Sequence, residues 1–270
     1  MSPLRVALFV EGTDRSSSSE SATDPLAILW NRAVCRLAGI PQFDHVIGFS
    51  KGSLVAMDPA NRSLSSVGES FDQLFLRKLT TLGFDAAVVA WDLHPGWNSR
   101  ATYCRWSETK SIYEGIANSP AAIPSAWMKK AGARFAEMNS RASPEDRVGP
   151  PPLEVNSIQV ICMDKTFEDL LVFDRANILR RALEVQGERV KGWPRNFVDA
   201  ELGVGAAIAA VRRIRPKRQV AKLVRNDFPA AKHEWATLIL ERALQNAEDA
   251  QMLRNHPIVT RLREVSDRDS

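Results

Sequence analysis

Two carboxylates occupy positions where a divalent cation could be held. Glu11 closes the apolar run of residues 5–10 and is followed at once by Gly12, and Asp92 closes a second such run, residues 86–91. Acids at the C-terminal ends of buried strands face the crevice in which open α/β sheets bind ligands. Gly12 permits the tight turn that projects Glu11 into it. Oxygen donors of this kind suit a hard divalent cation such as Mg2+, which takes one or two carboxylates and fills its shell with water and substrate phosphate. A metal so held activates water or stabilises the leaving oxygen in phosphodiester cleavage. Asp164, Glu168 and Asp169 follow a later strand and extend the acidic set. The plain alternative is that strand-end acids cap the next helix or face solvent.

Other residues offer rival chemistry. Gly48-Phe-Ser50-Lys-Gly52 satisfies G-x-S-x-G, the nucleophile elbow of a serine hydrolase, with Ser50 as nucleophile. The elbow should open a helix, yet Pro59 stops the segment after it, and no oxyanion-type glycine run precedes it. His233-Glu234 lacks the second histidine of a zinc helix. Trp97 and Trp106 lie in a segment without periodicity and are readable as base-stacking platforms or, more simply, as packing. Trp30 falls on a helical stripe and reads as core.

The elements that must position these residues alternate. Residues 5–10, 45–49, 86–91 and 157–162 read as strands. Pro25 opens a helix that Gly39 ends, with Leu26, Leu29, Trp30, Ala33, Val34 and Leu37 on one face. Helices are expected over residues 70–82 and 125–139. Residues 93–124 show no clear period, and residues 140–152, rich in proline, read as a linker or surface loop. Beyond Arg175 the pattern is helical: residues 178–185, 202–214, 220–225, 233–246 and 258–265. The expected organisation is an α/β domain over residues 1–174 and a helical C-terminal region over 175–270, packed on the first.

Bulk properties set limits. At 270 residues, 44% hydrophobic and 25% charged, the chain is ordinary globular material. No apolar run approaches the roughly 18 residues that span a bilayer, and no export signal is visible. Three scattered cysteines, Cys35, Cys104 and Cys162, suit a reducing compartment, so a cytoplasmic protein with no membrane association is expected. Net charge is +4, but residues 1–174 carry −3 and residues 175–270 carry +7. Between residues 202 and 226 there is no acid, against Arg212, Arg213, Arg215, Lys217, Arg218, Lys222 and Arg225. An acidic half beside a basic half suits a polyanion held by phosphate contacts without sequence readout. A merely solvated basic surface is the simpler alternative.

Taken with the order of elements, Val10-Glu-Gly-Thr-Asp14 resembles the first motif of the TOPRIM fold, and Asp92-Leu-His94 lies where that fold carries Asp-x-Asp. Residues 167–174 resemble a segment of stand-alone TOPRIM-like proteins from bacterial defence and mobile-element loci, related to the OLD-family nuclease domain. The resemblance covers residues 4–175. It implies a TOPRIM-like, mostly parallel sheet flanked by helices, and a Mg2+- or Mn2+-dependent nuclease of DNA or RNA in antiviral defence. Glu11 would be ligand or general acid/base, Asp92 a ligand, and Glu168 a third acid. Nucleic acid is the implied partner, with a companion ATPase and a homo-oligomer as further expectations; the chain has no P-loop of its own. His94 stands where the motif has its second acid. Imidazole suits manganese or zinc, or a base that activates water. A catalytically silent TOPRIM-like subunit that binds nucleic acid or a partner is therefore the alternative, and a Ser50 hydrolase the third.

Overall fold

The computed structural model describes residues 4–11, 24–49, 71–92, 106–141, 143, 157–163, 166–174, 177–185, 189–214, 224 and 226–267. Gly12, Asp14, Ser50, His94, Trp97, Asp164, Arg215, Lys217, Arg218, Lys222 and Arg225 lie outside them, as does most of the expected linker. The chain divides into two compact units. One comprises Met1–Glu20 with Phe43–Cys162, the other Ser21–Gln42 with Met163–Ser270.

The first unit is built on a four-stranded parallel sheet: β1 (Val6–Glu11), β2 (His45–Phe49), β3 (Ala86–Asp92) and β4 (Ile158–Met163), in the order β2-β1-β3-β4. Each strand is a continuous apolar run because both faces are covered: Leu8, Val10 and Ala90 are as buried as Phe9 and Val89. This is the α/β class expected from the alternation of strand and helix, with helices flanking the sheet. One face carries Ala7, Phe9, Ile47, Phe49, Ala87, Val89 and Trp91 into a core shared with the helices Phe71–Leu82, Trp106–Ala117 and Ser125–Ser140.

Of these, Trp106–Ala117 arises in the segment whose sequence shows no clear period. Its buried positions, Trp106, Thr109, Ile112, Tyr113 and Ile116, do recur at helical spacing. A threonine and a tyrosine carry part of the stripe, and Gly115 lies within it. A methyl group on Gly115 would come within 3.1 Å of the Leu76 side chain, so the helix buries itself at a close approach that costs it propensity. Trp106 is 3% exposed: packing is its role.

The second unit is helical, as expected of the C-terminal region, but it also recruits the N-terminal helix. That helix runs through Pro25–Ile28, a π-helical turn Leu29–Val34, and Cys35–Ala38. Asp24 accepts from the Leu26 amide at 2.7 Å, Pro25 pre-sets the first turn, and Gly39 at φ 71° ends the last. Its partners are the helices Lys232–Leu244 and Pro257–Asp267, and Trp30 packs on Phe167 at 5.7 Å. The remaining elements are 3₁₀ turns at Phe167–Val172 and Phe228–Ala230 and the helices Asn177–Ala182, Ala200–Ile214 and Ala247–Arg254. The last is absent from the sequence reading. Its inward face is Asp249, Ala250 and Leu253, and an inward-facing acid breaks the apolar period.

Candidate active site at the strand ends

Strands β1 and β3 are neighbours, yet the chain leaves them in opposite directions, from β1 outward to β2 and from β3 outward to β4. The gap between their C-terminal ends is thus the topological switch point of the sheet, where α/β proteins bind ligands. Glu11 and Asp92 are the residues at that point. The register Val10↔Ala90 brings Glu11 level with Trp91, one residue short of Asp92. Glu11 Oε2 accepts a hydrogen bond from the Asp92 backbone N–H at 3.2 Å. One carboxylate oxygen is thereby fixed to the neighbouring strand.

Both acids are buried, Glu11 at 4% and Asp92 at 9% exposure. Aromatic walls account for much of this. Glu11 is paired in register with Phe49 on one side and is level with Trp91 on the other. The two rings lie 5.5 Å apart, and Phe71 contacts both. The pleat adds a constraint that the sequence hides. Glu11 shares the parity of Phe9 and Trp91, and Asp92 has the opposite parity, so the two side chains leave the sheet on opposite faces. A ligand that meets both must sit beyond the sheet edge, not on one face. Among the described residues no group of three or more His, Cys, Asp or Glu side chains is placed to hold a metal. The donors present are carboxylate oxygens, the set a hard cation prefers.

Glu168 belongs to the helical unit. It is 1% exposed and forms an ion pair with Lys232 at 2.6 Å, and Lys232 also reaches Glu201 at 3.3 Å. Burial pulls the Lys232 ammonium down, but the Glu168 and Glu201 carboxylates more than offset this, and its pKa ends above the ordinary lysine value. The adjacent His233 is held below the usual histidine value, first by burial and then by the Lys232 charge, with Glu234, Asp24 and Glu168 opposing. This charged cluster around the buried Glu168 went unrecognised in the sequence because Glu168, Glu201 and Lys232 follow one another at intervals of about 30 residues and share no local pattern. The neighbouring acids of the same segment have structural partners. Asp169 completes a capping box with Thr166, and Asp174 accepts from the Ile178 amide and pairs with Arg181.

Of the basic run, Arg212 is tied to Asp227 at 3.0 Å and to the Asn226 carbonyl at 2.7 Å, while Arg213 is exposed. The expected helix of residues 233–246 is Lys232–Leu244, and His233 sits in its first turn. No helix of the described residues is long and apolar enough to cross a membrane. Comparison with protein-family models, curated proteins and solved structures returns no match.

Proposed function

We propose that the chain is a divalent-metal-dependent nuclease that cleaves phosphodiester bonds in DNA or RNA at the Glu11–Asp92 edge. The observation that carries this reading is the placement of two buried acids at the switch point of a parallel sheet, one locked to the other's backbone. Mg2+ or Mn2+ would be held by the Glu11 and Asp92 carboxylates. When bound, it would polarise a phosphate oxygen and lower the pKa of a coordinated water. The chain's own contribution is positioning. The Asp92 N–H holds Glu11 Oε2 in one orientation, and the Phe49–Phe71–Trp91 cluster packs together the ends of β2 and β3, the strands on either side of β1. Rigid placement of this kind removes reorganisation from the reacting step.

The TOPRIM-like resemblance supports the same reading, and with it a place in bacterial defence beside a partner ATPase, in the cytoplasm. His94, following Asp92 by two residues, is the proposed third participant, as a ligand for manganese or as a base.

The test is nicking of supercoiled and single-stranded substrates with Mg2+, Mn2+ or EDTA, using Glu11→Gln and Asp92→Asn. Each variant should lose at least about 100-fold in rate, or ~2.7 kcal/mol of transition-state stabilisation, with its melting temperature kept. Calorimetry should show Mn2+ binding that both variants lose. Metal-independent activity, or wild-type rates in both variants, would refute the assignment.

A further inference from the structure

The helical unit contains an open pocket of about 760 Å³ beside residues 190–199, distant in sequence from either strand-end acid. We propose that this pocket binds an unpaired base of a single-stranded nucleic acid. Its aromatic lining is Phe173, Trp193 and Phe197, and Arg195 and Asn196 stand at its exposed edge.

The aromatic faces are built in, although they lie on an irregular segment. Gly192 takes φ 86°, a left-handed conformation that turns the chain, and the Trp193 amide bonds back to the Val190 carbonyl at 3.1 Å. The Arg180 guanidinium lies over the Trp193 ring at 4.9 Å. Phe197 meets Trp193 edge-to-face and rests on the bare backbone of Gly203, where a methyl group would come within 2.5 Å of the ring. Phe173, which also lines the pocket, is 42% exposed, with its ring set edge-to-face against His256 at 4.8 Å. An exposed phenylalanine fixed at a pocket mouth is a surface for stacking.

Charge identifies the occupant. Arg195 lines the pocket and is exposed; Arg189 and Lys191, also exposed, precede it in the same segment, which Glu188 and Asp199 flank in sequence. Asp169 also lines the pocket, but its carboxylate is engaged by the Thr166 amide and hydroxyl. Aromatic faces beside an exposed cation are how proteins hold a single strand: the rings stack on bases and the cation meets a phosphate. The volume is in the range of small-ligand sites, and the Asn196 amide offers a donor and an acceptor to a base edge. An acidic side chain would satisfy Arg195 and leave the rings unfilled.

This binding needs no metal and does not depend on cleavage at Glu11. Fluorescence anisotropy of labelled 12-nucleotide DNA and RNA strands in EDTA at low salt tests it. The wild type and Glu11→Gln should bind alike, and Phe173→Ala and Arg195→Glu, both at exposed positions, should each weaken binding about tenfold or more without lowering the melting temperature. Gly203→Ala should weaken it too, by displacing Phe197; if that variant fails to fold, the two exposed substitutions decide. Nucleoside monophosphates should compete only weakly. Unchanged affinity in both exposed variants overturns the proposal. So does a mononucleotide that competes as well as the strand, or a duplex that binds equally well.

Discussion

The hydrogen bond from the Asp92 amide to Glu11 does more than link two strands. It takes up one carboxylate oxygen of a buried acid and leaves the orientation of that side chain little freedom. Glu11→Gln preserves size and an accepting oxygen while removing the charge, so it separates chemistry from architecture. His233 makes a different test possible. Its pKa in the fold lies below the ordinary value of 6.5 because burial and Lys232 disfavour the imidazolium. Between those two values the unfolded chain holds the proton and the folded chain does not. The stability linked to this residue is therefore fully present above pH 6.5 and is lost as pH falls from there toward the folded value. His233→Gln, which cannot titrate, should show a flatter fall in melting temperature between pH 7 and 5 than the wild type. Identical slopes would mean that this histidine does not sense the change.

Among the elements, the helices Asn177–Ala182 and Ala247–Arg254 are joined by one cation. Arg181 Nε donates to Asp249 Oδ2 at 2.9 Å, and its other arm reaches Asp174 at 3.3 Å. Both acids are buried, and the hydrogen bond to Asp249 leads the causes that raise the arginine's pKa. Arg181→Met would strand two carboxylates. Arg181 is one-third exposed, which moderates the penalty, so a loss of about 2–3 kcal/mol is expected in urea unfolding. Adding Asp249→Asn should recover part of it, because one of the stranded charges is gone. A neutral result for Arg181→Met would show that solvent already satisfies these acids. The same pair explains why the Ala247–Arg254 helix escapes a search for apolar periodicity: its anchoring residue is an aspartate.

For the whole molecule, the excess of basic charge in residues 175–270 predicts that any nucleic-acid association is strongly salt-dependent. If six of the basic residues contact phosphates, the logarithm of affinity for a single strand should fall with log salt at a slope of about −4. A flat response would remove the basic half from binding. Filter binding between 50 and 300 mM KCl reads this directly. Of the two described members of the run, Arg212 is less suited to phosphate than the exposed Arg213, since Asp227 and the Asn226 carbonyl engage it.

The sequence by itself determined the parallel sheet and its acidic edge. Strands buried on both faces are continuous apolar runs, and the helices between them have marked stops such as Gly39 and Gly83, both at positive φ. These are local signals, written in consecutive residues. Tertiary structure decided what consecutive residues do not encode. The strand order made the β1–β3 gap a switch point, and pleat parity sent Glu11 and Asp92 to opposite faces. Packing assigned the Pro25–Ala38 stretch to the helical unit and made a helix of Trp106–Ala117 despite its weak propensity. It also paired Glu168 with Lys232, because a buried carboxylate needs a partner and the nearest one in space is 64 positions away in sequence.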